Sequence, residues 1–503
     1  MARGATSTKA FRHGSVSVVL TALVVVAVIL LNTIVTNLAV RYGWFVNMRP
    51  TLLYPVTDAC YDYMDEYVVP LARESGEPIR IIFCDEEANI RADSTQSFVL
   101  NTAEEMTAAY PDLIKIEYLN IWERPSEARR WGVNASTSVV VAHGESHRVC
   151  TLRDFFSFPA SDNSNPTSYN GEKRLAVAMR AVVTPDTPKA YFTLNHGESF
   201  PDYALMYAIV NAGYTVDYLD ALSFDVPEDC ALLVTYNPAR DFTTASDGVS
   251  GISEIDRLSA YMQKGGKYMV FVSADTFAAG SFGNLEGYLA DWGVTFDHRT
   301  GAGGIEECFA IRDTGHALST DGYTILARLA DNATAAALAD DVVGGLRVGN
   351  ATGISVAEGF TSKNGTYQNG NRTLTPLLLS HAGAEAWTGG RAVGRTDEGY
   401  PLFTVTHDTE SGAHLMVCSS IELATEGSLQ SGVFANEPFL MAALSLTGKD
   451  DTPLALRSQP FADDTIHTMT TATARTITVA LVATPTVILL TAGLIVLLRR
   501  KYA

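Results

Sequence analysis

Two apolar stretches without an ionisable side chain, Gly14 to Val40 and Thr476 to Leu498, stand near opposite ends of the chain. At 1.5 Å rise per residue, more than twenty such positions cover a hydrocarbon layer of about 30 Å, so the pattern predicts two membrane-spanning helices, the second kinked at Pro485. Between them, short apolar runs alternate with amphipathic segments. A helical lead-in, "DACYDYMDEYVVPLARES", precedes a buried-strand run from Ile79 to Cys84. An amphipathic helix follows around Phe98 to Tyr110, then a strand from Ile114 to Ile121 and a short helix in "SEARRWGV". "STSVVVAHGESHRVCTL" alternates like a hairpin with Gly144 at its turn, completing a β-α-β-α-β-β order.

A polar, turn-rich loop and an amphipathic helix from Glu172 separate this group from a second. There "KAYFTL" (Lys189 to Leu194), "YTVDYL", "CALLVTY" (Cys230 to Tyr236) and "KYMVFV" (Lys267 to Val272) read as strands. The helix "DYALMYAIVNAG" closes at Gly213, and "SEIDRLSAYMQK" carries a Ser253/Asp256 cap and ends at Gly265-Gly266. Continuous apolar strands need cover on both faces, which predicts a doubly wound sheet flanked by helices. From Gly283 the pattern loosens: a helix "NLEGYLADWG", a Gly-rich polar region to about Gln368, two strands ("TLTPLLLSHAG", "AHLMVCSSIEL") and a late helix, "NEPFLMAALSLTG".

Charge adds orientation. Arg3, Lys9 and Arg12 precede the first apolar stretch and Arg499, Arg500 and Lys501 follow the second, which places both termini in the cytoplasm and residues 41–475 outside it at the plasma membrane. Setting those six bases aside leaves 30 basic against 56 acidic residues, a net −26 that repels nucleic acid and anionic headgroups. A cleaved secretory signal is the other reading of the first stretch. The six cysteines form no C-x-x-C pair and no zinc spacing; buried thiols are one reading of them, an extracytoplasmic disulfide the other.

The first group resembles the thioredoxin-like fold, most clearly at "WGVNASTSVVVAHGESHRV". Cys84-Asp85-Glu86-Glu87 stands where a redox thioredoxin carries C-x-x-C, and Thr137 stands in place of its proline, so the domain reads as a binding or spacing module, with the Cys84 thiolate disfavoured by three carboxylates. The order from 189 to 272, with "YFTLNHGES", "VPEDCALLVTYNPARDF" and "EIDRLSAYMQKGGKYMVFVS", resembles the Gldg family of membrane-anchored auxiliary components of ABC-type transport systems. That resemblance implies a thioredoxin-like domain followed by a doubly wound, Rossmann-like domain similar to class I glutamine amidotransferases. It also implies separate permease and ATPase partners. Asn195 stands where the family has glycine, which restricts positive φ before His196.

The implied division is a cytoplasmic tail (1–13), a span (14–40), a thioredoxin-like domain with its lead-in (41–154), a linker and helix (155–185), an amidotransferase-like α/β domain (186–450), a membrane-proximal segment (451–475), a second span (476–498) and a tail (499–503). A hydrolase on this scaffold would need G-x-C-x-G or G-x-S-x-G, and neither string occurs; Ser273, at the end of "KYMVFV", is the nearest nucleophile. No Walker A loop, H-E-x-x-H or calcium loop is present, so no cofactor or metal is expected, and "GAGG" at 301–304 reads as a surface turn. His196 and Glu198 follow the first strand of the second group at the carboxyl edge, where open α/β sheets collect ligands, and Asp241 follows another strand. Each is a candidate for ligand or partner binding; each has a structural alternative, a helix-capping turn for the first two and a turn or N-cap for Asp241. The reading is a non-enzymatic extracytoplasmic auxiliary subunit held in a lipid bilayer by two helices, with an envelope hydrolase or a surface sensor or adhesin as alternatives.

Overall fold

The computed structural model describes residues 54–461 apart from 159–165, 167, 185–186, 247–252, 279–281, 301–305, 431–432, 450 and 454, together with residue 475. Among the described residues no helix is long and apolar enough to cross a membrane. The longest, Gln96–Ala109, has 14 residues and would reach only about 21 Å of the roughly 30 Å needed. The two-span membrane-anchored architecture and the plasma-membrane location are therefore corrected to a mixed α/β fold without such a helix among the described residues. Both apolar stretches, 14–40 and 476–498, lie outside the described residues, as does the "GAGG" cluster.

The first sheet has four strands: β1 (Ile79–Phe83), β2 (Ile114–Tyr118), β3 (Val139–His143) and β4 (Ser146–Cys150), in the order β2-β1-β3-β4. β1 and β2 are parallel, and β3 runs antiparallel to β1 and to β4. Gly144 turns the β3–β4 hairpin at φ 58°, a conformation that glycine adopts without a Cβ clash. Helix α1 (Gln96–Ala109) turns Val99, Leu100, Ala103 and Met106 onto the sheet, where they pack with Ile79, Ile81 and Phe83. Each of these side chains larger than alanine gains roughly 1.5–3 kcal/mol from burial. Helix α2 (Gly171–Val183) covers the same core with Leu175 and Met179.

α2 also joins the two halves. Lys173 is buried and pairs with Glu437 at 2.8 Å, and Glu172 accepts the backbone N–H of Thr57 at 2.8 Å. Buried charges of this kind hold a geometry when each has its partner.

The second sheet is built from β5 (Lys189–Thr193), β6 (Thr215–Leu219), β7 (Cys230–Tyr236), β8 (Lys267–Phe271), β9 (Thr324–Leu329), β10 (Leu346–Gly349), β11 (Thr366–Asn369), β12 (Arg372–Leu379), β13 (Pro401–Asp408) and β14 (His414–Cys418). Its main path runs β10-β9-β12-β13-β14-β8-β7-β5-β6, with β11 on the edge of β12 and the short strand Thr361–Lys363 outside β11. From β6 to β14 every pairing is parallel. From β14 onward every pairing is antiparallel. The doubly wound Rossmann-like sheet expected for the whole of 186–450 is thus confined to one half, because β13 and β14 are joined by a tight turn that can only reverse the chain. The polar region up to Gln368, read as irregular, contains several strands of three to six residues. Such strands are too short to give a periodic signal.

Helices α3 (Ala204–Asn211), α4 (Glu254–Gln263), α5 (Gly283–Asp291) and α6 (Asn436–Ser445) flank the sheet. The cysteines described with their side chains, 60, 84, 150, 230 and 418, are all free and buried. Burial, not the neighbouring carboxylates expected from sequence, pushes the Cys84 thiol up to about 12.

Candidate functional site

β5 leaves the sheet into Asn195-His196-Gly197-Glu198. Asn195 adopts φ 76° and Gly197 φ 75°, so the asparagine takes the left-handed conformation that glycine would have taken there. The two left-handed residues fold the turn back on itself. His196 and its two carboxylate neighbours are then buried, with side-chain exposures of 4 % for His196 and 3 % for Glu198 and Glu254.

The imidazole is held from both sides. Nδ1 lies 3.0 Å from Glu198 Oε1 and Nε2 lies 3.0 Å from Glu254 Oε1. Its ring stacks on Phe242 at 4.0 Å between centroids and 7° between planes. Burial acts to lower the His196 pKa, but hydrogen bonds to Glu198 and Glu254 outweigh it and bring the group to about 9. Burial pushes both glutamates up; their hydrogen bonds with His196 and with nearby donors win, and both end below the usual carboxylate range. The group is an imidazolium between two carboxylates, with both ring nitrogens donating.

The remaining acceptors are also filled. Glu198 Oε2 accepts the backbone N–H of His196 at 2.9 Å, and Glu254 Oε2 accepts both the N–H and the hydroxyl of Thr243 at 2.9 and 3.0 Å. Thr193 donates to Glu198 Oε1 at 2.9 Å and lies 3.0 Å from the Thr235 hydroxyl, which receives the Tyr268 hydroxyl at 2.9 Å. Each hydroxyl has one proton, so the direction is set: Tyr268 donates to Thr235, Thr235 to Thr193, and Thr193 to Glu198. Ala239 and Arg240 donate their N–H groups to the His196 carbonyl at 2.8 Å each, stapling the β5 turn to the segment after β7.

This cluster stands at a topological switch point, since the chain goes from β5 to β6 on one side and to β7 on the other. Open α/β sheets usually gape there for a ligand. Here the gap is closed by the ion-paired turn, by Phe242 and by the first residue of α4, whose carboxylate also suits the positive end of that helix. As an imidazolium with both N–H groups engaged, His196 has no lone pair for proton abstraction at neutral pH.

His196 and Glu198 are brought together as the sequence suggested, but the third member is Glu254 and not Asp241. Asp241 instead caps α5: its carboxylate accepts the N–H groups of Asn284 at 2.8 Å and Leu285 at 3.0 Å. Glu254 was legible only as part of a helix start. Nothing local in "SEIDRL" points to a histidine 58 residues earlier.

Ser273 is fully buried, and its hydroxyl lies 3.3 Å from Thr276 Oγ1. Thr276 passes its own proton to Asn237 Oδ1 at 2.8 Å. No imidazole partner of Ser273 stands among the described residues. Cys418 is likewise inert: its thiol donates to the Ser420 carbonyl at 3.1 Å, and burial pushes it up to about 12. No group of three or more His, Cys, Asp or Glu residues able to hold a metal occurs among the described residues.

No family model matches the chain, and no curated protein matches it. Among solved structures, the mmIFT52 N-terminal domain is similar at 13 % identity over 52 % of this chain and 97 % of that one, with a TM-score of 0.36. A putative ThuA-like protein from Bacteroides uniformis is similar at 10 % identity over 54 % and 96 %, with a TM-score of 0.31. A glutamine amidotransferase from Thermotoga maritima is similar at 11 % identity over 53 % and 96 %, with a TM-score of 0.24. Likenesses at this level carry no argument for an activity.

Proposed function

We propose that this chain is a non-enzymatic auxiliary subunit of an ABC-type transport system, contributing to assembly or substrate capture beside separate permease and ATPase chains. The transport half of the reading rests on the sequence resemblance from "YFTLNHGES" to "KYMVFVS". The non-enzymatic half rests on one observation, the closed His196–Glu198–Glu254 ion pair at the switch point. A scaffold whose ligand crevice is filled by its own buried charges is suited to presenting surfaces, not to turning over a substrate.

Purification of the tagged full chain from its source, followed by identification of what comes with it, tests the reading. An ATP-hydrolysing chain and a multi-span permease in fixed ratio are expected. Recovery of the chain alone under conditions that keep other transporter complexes intact would overturn the transport reading. Hydrolysis of an amide by the pure protein, lost in Ser273→Ala, would overturn the non-enzymatic one.

A further inference from the structure

A cleft of about 470 Å³ opens between the outer edge of β4, one face of α2 and the turn from α3 into β6. That volume lies within the range of roughly 300–1,000 Å³ typical of small-molecule sites, which favour domain junctions. Its walls are mostly apolar, with Val177 and Ala181 from α2 facing Tyr214 and Val216. Arg148 and Arg174 are also among the residues that line the cleft.

Their charge is only partly answered. Arg174 donates to Asn211 Oδ1 at 3.0 Å and pairs with Asp154 at 3.4 Å, so its charge is answered. Half-buried Arg148 donates only to the Thr187 hydroxyl, at 3.3 Å, and no carboxylate of the described residues pairs with it. Burial and then the neighbouring Arg174 charge both lower the basicity of Arg148. In a chain of net charge −20, a half-buried cation without a described carboxylate runs against the surrounding field.

We propose that this interdomain cleft binds an amphipathic anion, its carboxylate or phosphate head taken by Arg148 and its apolar body lying against Val177, Ala181, Tyr214 and Val216. Guanidinium groups suit such heads because their planar N–H pairs match two oxygens at once. The apolar walls exclude a bare inorganic ion as the best ligand, since it would leave them wet. The cleft shares no residue with the His196 cluster, so its test is independent of the transport reading.

Calorimetric titration of the purified full chain with octanoate, octyl phosphate and 1-octanol decides the matter. Saturable binding of at least one of the two anions is expected, about tenfold or more tighter than 1-octanol, as a hydrogen-bonded charge contributes. Whichever anion binds better identifies the head group. Arg148→Gln should weaken the anion by about tenfold while leaving the thermal midpoint in place, and Ala181→Phe should remove binding by filling the cleft. Should Ala181→Phe fail to fold, Arg148→Gln decides alone. No saturable binding of either anion, equal binding of 1-octanol, or an unchanged affinity in Arg148→Gln would overturn the proposal. Asp186 lies outside the described residues, so Asp186→Asn is measured alongside: binding seen only in that variant would mean that the native cleft is already neutralised, and would also overturn it.

Discussion

The turn after β5 and the cleft beside α2 both bury charge, and they do so in opposite ways. At the turn, one imidazolium meets two carboxylates, and every remaining acceptor is met by a hydroxyl or a backbone N–H. In the cleft, Arg174 has Asp154, while half-buried Arg148 meets no described carboxylate and donates only to the Thr187 hydroxyl. A closed network spends its interactions on holding a shape, whereas an open one leaves interaction free for something that arrives. Of the residues that the sequence marks as functional, His196 and Glu198 belong to the closed network and Asp241 caps a helix, and none of them lines the cleft.

The largest effect should come from breaking the closed network. His196→Ala leaves Glu198 and Glu254 buried without their shared cation, and chemical denaturation should show a loss of roughly 3–5 kcal/mol. A loss under about 1 kcal/mol would mean that the two carboxylates are not held by the histidine.

pH gives the next effect. The His196 pKa is raised from 6.5 to about 9, so its contribution is complete below 6.5 and disappears as pH rises through 9. Glu198 and Glu254 are shifted down, so their contribution is present above about 4.5 and fades as pH falls below it. Stability from this cluster should therefore be greatest between those limits, with a decline on the order of 3 kcal/mol between pH 6.5 and 9 that His196→Ala abolishes. A flat profile in the native chain would dissolve the contrast between the two regions.

The smallest effect belongs to the cleft. Arg148→Gln removes a half-buried charge that is bound only to Thr187, and equilibrium unfolding should move by no more than about 0.5 kcal/mol. A loss comparable to that of His196→Ala would make Arg148 a structural residue and the cleft a second closed network.

Local signals were legible where they repeat. The parallel strands at Lys189–Thr193, Cys230–Tyr236 and Lys267–Phe271 are continuous apolar runs, and the Ser253 cap appears as read, accepting the Asp256 N–H at 3.0 Å. The restriction on positive φ expected at Asn195 does not hold: the residue sits at φ 76°, a conformation that asparagine tolerates better than most side chains. The antiparallel half gave little, because its strands are brief and interrupted by turns, and pairing between β9, β12 and β13 depends on partners far along the chain. Asp241 could be given two readings from sequence; the N–H groups of α5 chose the capping one.

Composition and periodicity by themselves determined that this is an acidic chain of two α/β groups joined by a helix, with His196 and Glu198 at a strand end. Only the tertiary structure decided that Glu254 completes their charge, that Asp241 belongs to a helix end, and that Arg148 and Arg174 share a cleft. The reason is physical: periodicity records which face of one element is buried, whereas the balance of a buried charge is set by groups that folding carries in from other elements.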